Sequence, residues 1–301
     1  FRFNNSMLSG IKYIGNAYNI KGTLELTEDK LNTDSLKFQA LDSDFTLSGS
    51  LEDCINPYLK INLDSPNLKL EKSVIFIKYP AGINLAGIAR GKIELSGGLK
   101  ELPLKVNSAL IIEEARLEAP LLKGPLQQIK GRVNLENDAA SWQELSFGYQ
   151  GTVYTSSGRL TGFLAPQLDF KINSKELSLT SDIKISTDLI ILNNLSAGYI
   201  NSDCSIKGAI QTREKNKPFL DLDFVLNLNP SDILALLPKG LAEQISKVKP
   251  QGTIRLSGKL SGPAKDYRDW SIQAQGKSEA FSVYNLRFSN LSFNLFQQDE
   301  L

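Results

Sequence analysis

Residues 218–230 read PFLDLDFVLNLNP. Leu220, Leu222, Phe224, Leu226 and Leu228 recur at every second position, with Asp221, Asp223, Asn227 and Asn229 among the residues between them. Successive side chains on a strand point to opposite sides, so a period of two over this length describes a strand with one apolar and one solvated face. The apolar face must lie against something. Whether the rest of the chain can supply that partner decides the fold.

The chain has 301 residues, of which 41% are hydrophobic and 22% charged, a balance that fits a folded polypeptide with ample material for a core. Its 34 basic and 33 acidic residues leave a net charge of +1, spread along the chain, so no bulk field recruits nucleic acid or an acidic substrate. No window approaches the roughly 18 consecutive apolar residues of a membrane-spanning helix. The opening FRFNNS lacks an initiator Met and the closing NLSFNLFQQDEL stops in mid-pattern, so the expectation is a piece of a longer protein whose targeting or anchoring segment lies elsewhere. Cys54 and Cys204 are far apart with no motif around them and are expected to be unpaired thiols.

Degenerate repeats run through the chain. LSGSLEDCINPYLKINLDSPNLKL from Leu47, LSGGLKELPLKVNSALIIEEARL from Leu95 and SSGRLTGFLAPQLDFKINSKELSL from Ser156 share one grammar, as do the segments from Ile206 and Leu256. Each has a strand ending in Gly-x-Leu or Gly-x-Ile, a loop usually carrying Pro, a second alternating strand, and a polar break. The glycines at 49, 97, 158, 208 and 258 are spaced 48, 61, 50 and 50 residues apart. KGTLELTEDKLNTDSLKF from Lys21 and KGRVNLENDAASWQELSF from Lys130 are offset by 109, the offset that also separates Gly49 from Gly158. The expectation is about four strands per unit, over approximately 20–75, 90–125, 130–180, 190–235 and 250–297, within a single module covering 1–301. Glycine at those sites serves either positive φ or a place where a side chain would crowd the next strand.

Because the repeats do not close after about seven to nine strands as a sandwich does, the pattern predicts an all-β fold: an elongated, curled antiparallel sheet forming a groove. One segment breaks the rhythm. Residues 229–252, NPSDILALLPKGLAEQISKVKPQG, carry apolar residues at Ile233, Leu236, Leu237, Leu241 and Ile245, and read as a short helical insert over 230–249 split at Pro238 and Gly240. A weaker interruption surrounds Pro80. Such inserts plug one end or edge of a sheet, or contact a partner.

The usual chemistry of enzymes is missing. There is no histidine, hence no His-based triad and no His ligand for zinc. No nucleophile elbow, phosphate-binding loop, dinucleotide fingerprint or paired CxxC occurs. Ser181 and Lys184 form a lone SxxK in a strand-like run. Asp42 with Asp44 and Asp221 with Asp223 have strand spacing on a solvated face, and the adjacent Glu113 and Glu114 point apart. The sequons at Asn194 and Asn290 are expected by chance in a chain this rich in Asn and Ser. The residues therefore point to a non-enzymatic protein without a cofactor or metal, and without nucleic acid as a partner.

The five Gly-x-Leu/Ile units, the block from Lys130 to Leu179 and the segment NPSDILALLPKG followed by QGTIRLSGKLSGP together resemble the AsmA-like family of Gram-negative envelopes, the TamB/YhdP type of bridge-like lipid-transport proteins. The resemblance covers roughly residues 20–296 and rests on repeat grammar rather than a catalytic motif. It implies a taco-shaped β-groove in the periplasm, anchored to the inner membrane by a helix this sequence lacks, holding or conducting phospholipid acyl chains towards the outer membrane and supporting its integrity. Outer-membrane proteins are then further candidate partners. The expected lining is Leu59, Ile61 and Leu63; Leu168, Phe170 and Ile172; Leu220, Leu222, Phe224, Leu226 and Leu228; and, near the far end, Ile254, Leu256, Phe288 and Phe293. Two other classes stay open: a structural or adhesive β-repeat module with a closed core, and part of an outer-membrane β-barrel, although the aromatic girdles of such barrels are not seen.

Overall fold

The computed structural model describes residues 1–301 apart from 12–14, 54, 76–81, 101–103, 121, 164, 214–217, 237–238, 266, 285 and 298–301. Cys54 and Pro80 lie outside the described residues; Cys204 is a free thiol. The chain is all-β, with two short helices, and its contacts group into two compact units, Phe1–Arg159 and Leu160–Leu301.

In the first unit the strands are β1 (Arg2–Ile11), β2 (Gly15–Thr23), β3 (Glu25–Leu26), β4 (Lys30–Ala40), β5 (Ser43–Glu52), β6 (Tyr58–Lys69), β7 (Asn84–Gly98), β8 (Lys105–Glu118), β9 (Leu126–Glu136), β10 (Ala139–Tyr149) and β11 (Thr152–Thr161), the unit boundary falling within β11. Each strand from β4 to β9 pairs antiparallel with the next, β2 pairs with both β1 and β4, and β3 adds two residues against β4. β10 meets β11 through Trp142 Nε1, which donates to Ser156 Oγ at 2.9 Å, and through stacked Phe147 and Tyr154 rings.

The second unit repeats the meander with β12 (Gln167–Asn173), β13 (Leu177–Ile185), β14 (Leu189–Tyr199), β15 (Ser202–Gln211), β16 (Phe219–Leu228), β17 (Gln251–Gly252), β18 (Ile254–Pro263), β19 (Ser271–Val283) and β20 (Leu286–Gln297). The order is sequential except that β16 pairs with β18 and the two-residue β17 with β19, and every registered pair is antiparallel. Between β16 and β17 stand α1 (Pro230–Leu236) and α2 (Lys239–Lys247), the two helices expected there; Gly240 lies inside α2 rather than at the break. Pro238 is outside the described residues.

Tight turns carry the sequence repeat into the structure. The β4–β5 turn places Leu41 and Asp42 at φ 51 and 58, and the β10–β11 turn places Gln150 and Gly151 at φ 49 and 82. Positive φ at both central residues is the two-residue hairpin turn whose twist matches that of its strands. The two turns are 109 residues apart, the offset of the longer repeat. The expectation of about four strands per unit does not hold throughout. Between Gly49 in β5 and Gly97 in β7 the chain advances only two strands, because β6 and β7 are long and a 3-10 segment, Leu70–Ile75, separates them.

Gly208 shows why glycine marks these strands. Its φ is +137, and a Cβ there would run into the carbonyl oxygen of Asp221 and come within 2.9 Å of the Leu222 Cα. Gly49, at φ +136, is crowded in the same way by Lys60 and Ile61 of β6. The backbone of the next strand occupies the space a side chain needs, so only glycine keeps the ladder closed. Gly208→Val is expected to destabilise the second unit by about 3 kcal/mol, read as a lower urea midpoint without a change of slope.

The solvated surface carries ordinary exposed ion pairs, among them Lys30 with Glu52 at 2.8 Å and Arg116 with Glu118 at 2.7 Å. The hydrogen bond from Lys30 holds the Glu52 carboxyl below the usual 4.5, and that from Arg116 does the same for Glu118. Asp53 is held below 3.8 by the backbone N–H groups of Asn56 and Ile55. A depressed folded value stabilises above the unfolded pKa and is lost as pH falls through the folded one. NMR titration should therefore find these three midpoints below 4.5, 4.5 and 3.8 respectively, with their small contribution to stability intact at neutral pH and lost only below those values.

Candidate apolar binding face

Alternation within a strand segregates its own residues; register decides whether neighbouring strands agree. In the first unit they do. Leu36 lies opposite Leu47, Leu47 opposite Leu63, and Leu63 opposite Ile93, forming one apolar row. Ile61, between Gly49 and Leu95, and Leu59, between Leu51 and Gly97, lie in the adjoining rows. The intervening parity holds Ser48, Asn62, Glu94 and Asn107 in one polar row. The expected trio Leu59, Ile61 and Leu63 thus shares one face, and each remains half-buried.

One part of this face is covered. Leu70, in the 3-10 segment, is buried with Ala89, Ala115 and Ile129, and Leu68, Leu85, Ile112, Leu117 and Phe147 pack around them. Small residues at Ala89 and Ala115, 0% and 3% exposed, leave room for Leu70 to seat against the sheet.

The second unit presents a wider face. Phe224 of β16 has Ile206 on one side and Gly258 on the other, and the row continues through Leu195, Ser181 and Phe170 in one direction and Ala274 and Leu295 in the other. Leu226 lies between Cys204 and Leu256, in the row that runs from Ile172 through Leu179 and Ala197 to Gly276 and Phe293. Leu222 shares a row with Leu168 and Leu260, Leu228 sits opposite Ile254, and Leu220 sits opposite Ile210. All the expected residues of this unit except Phe288 fall on these rows. Phe288 pairs with Phe281 and lies an odd number of residues from Phe293, with Asn290 at φ 49 between them. The left-handed Asn290 interrupts the alternation between the two, and the Phe288 side chain is 41% exposed.

β16 is flanked by strands on both sides, yet Leu220, Leu222, Phe224, Leu226 and Leu228 are all only half-buried. In-plane neighbours cover the edges of a side chain; only a second layer covers its end. Burial confirms the lack of one: among the described residues no large side chain is below 2% exposure, and the buried set is dominated by Ala and Ser. The chain exposes 20290 Å² in all, whereas a compact monomer of this mass exposes about 12,600 Å².

Sequence reasoning missed this floor of small residues. Ser108, between Ile93 and Leu135, and Ser181, between Phe170 and Leu195, are 3% and 4% exposed, and the hydroxyls of both, like that of Ser65, have no hydrogen-bond partner among the described residues. A small residue at an apolar parity position between larger neighbours was the available signal. It also missed the anchor of α1. Asp232 is 4% exposed, and its carboxylate accepts from the Asn201 backbone N–H at 2.8 Å and from Ser202 Oγ at 3.0 Å, tying α1 to the β14–β15 turn.

Among the described residues no cluster of His, Cys, Asp and Glu could hold a metal ion, and Ser181 and Lys184 lie at opposite parity on β13. No described helix is long and apolar enough to cross a membrane. Leu222→Ala should cost only about 1 kcal/mol, because much of that side chain is already in water, whereas Ile129→Ala, beneath Leu70, should cost about 3 kcal/mol. Chemical denaturation of the two variants measures the contrast. Compared with known protein families, curated proteins and solved structures, the chain matches none.

Proposed function

We propose that the apolar faces hold and conduct phospholipid acyl chains across an aqueous compartment, in the manner implied by the likeness to AsmA-like envelope proteins. The observation that carries this reading is the half-exposed state of Leu220 to Leu228 on a strand paired on both sides. Eight paired strands at about 4.8 Å spacing, with three to five alternate positions each at about 6.7 Å, make a face on the order of 700 Å². Soluble monomers tolerate contiguous apolar patches of about 300–600 Å². A face this large needs an apolar occupant.

The energetics suit an acyl chain. Drawing a chain of about 16 carbons through water costs about 0.8 kcal/mol per methylene, a barrier on the order of 10 kcal/mol that a lined face largely removes. Rows of Leu, Ile and Phe interrupted by Gly, Ala and Ser give similar energies at successive positions, so a chain can slide while its headgroup stays in solvent. Such a surface imposes no direction. On this proposal the protein works in the periplasm of a Gram-negative envelope, between the inner and outer membranes, and direction comes from a partner or a sink.

Native mass spectrometry of the protein purified from a Gram-negative host, followed by lipid extraction, tests the reading. Phospholipid should co-purify, and Phe224→Arg or Leu226→Arg should remove it while circular dichroism remains that of the parent. A lipid-free mass with no uptake of added fluorescent phospholipid would leave the face as the surface of a structural β-module.

A further inference from the structure

A depression of about 630 Å³ opens beside β18, β19 and β20 of the second unit. Arg255 and Lys277, both exposed, line it and lie directly opposite each other on adjacent strands, with Ser292 next in the same row. Directly opposed side chains have Cβ atoms about 4.5–5.5 Å apart, and like charges there oppose the pairing. Some cations of the sheet are compensated, Lys30 by Glu52 at 2.8 Å and Arg90 by Glu113 at 2.9 Å, while Lys21 lies opposite Lys37 in the first unit as Arg255 does opposite Lys277. Among the described residues neither Arg255 nor Lys277 has an ion-pair or hydrogen-bond partner. A juxtaposition that weakens the sheet and is left uncompensated is relieved by an anion between the two groups.

The surroundings narrow the class of anion. Ser292 and Asn290 bring a hydroxyl and an amide to the same depression, and Asn290 takes a left-handed φ of 49 that breaks the run of β20 at that point. A guanidinium fork, an ammonium and neutral donors together suit a tetrahedral oxyanion. Glu279 also lines the depression. Its negative charge penalises a dianion more than a monoanion, which favours a phosphodiester over a phosphate monoester.

We propose that Arg255 and Lys277 form a binding site for a phosphodiester monoanion. The site stands on charge pairing rather than on the acyl-chain reading, so either can fail alone. The test is a titration of 15N-labelled protein with inorganic phosphate, glycerophosphoglycerol and dihexanoyl phosphatidylglycerol, following the amides of residues 255, 277 and 292. Saturable shifts are expected, stronger for the phosphodiesters than for inorganic phosphate, at least tenfold weaker in the Arg255→Gln/Lys277→Gln double variant, and several-fold tighter in Glu279→Gln. Because all three side chains are exposed, the remaining amide spectrum should superimpose on the parent. Tighter binding of the short-chain lipid than of glycerophosphoglycerol identifies a lipid headgroup as the natural source; equal binding identifies a free phosphate ester. Shifts that do not saturate with any probe, or that persist unchanged in the double variant, overturn the site. Anion binding without acyl-chain uptake leaves the site standing and removes conduction, and the converse removes the site alone.

Discussion

The structure depends on agreement between two periods: alternation along each strand and cross-strand register between strands. A slip of one residue at any ladder would turn that strand's apolar set to the opposite face. No second layer would hold the error in check, since neither face of most strands is enclosed. Register must be specified locally, and turns such as Leu41–Asp42 and Gln150–Gly151, with both central residues at positive φ, do so by fixing the number of residues between partners.

Local disruptions are arranged around the same constraint. The ladders of β4 with β5, β6 with β7, and β14 with β15 each contain one register shift, yet apolar residues stay together on both sides of it. A bulge adds a residue to one strand and bends it, so the face can curve without losing its chemical identity. Gly49 and Gly208 serve the same end by letting the neighbouring backbone approach where a Cβ would stand. Phe293 uses the space differently: its ring occupies the position that a Cβ on Gly276 would need.

Where a second layer does exist, it is small and specifically fastened. Leu70 is seated on the Ala89 and Ala115 floor in the first unit. In the second, α1 is tied by the Asp232 carboxylate to Asn201 and Ser202, while the Ser202 hydroxyl accepts from the Asn229 backbone N–H at 2.9 Å. The ladder groups in the strand interiors are paired with each other, so the exposed faces consist mainly of side chains. This is why an apolar stretch and an uncompensated Arg255–Lys277 pair can coexist on one framework: they lie at opposite parity on the same strands, and neither alters the hydrogen bonds of the other.

The two-residue alternation of Leu220 to Leu228 was enough to identify a strand with one apolar face, since the direction of successive side chains is a local property of extended backbone. The repeat offset of 109 was equally legible, because the turns it brings into correspondence are built from adjacent residues. The two-helix insert followed from its own spacing and from Pro230. What the sequence could not decide was contact between strands. The count of about four strands per unit does not hold between Gly49 and Gly97, because strand length depends on neighbours, and the place of Phe288 relative to the apolar rows turns on Asn290, whose left-handed φ interrupts alternation along β20. The small-residue floor at Ala89, Ser108, Ser181 and Ala274, the seat of Leu70 and the Asp232 anchor involve residues brought together only by pairing and packing. Tertiary structure alone fixed how far the apolar face stays open, because exposure is set by what lies above a side chain and not by its neighbours in sequence.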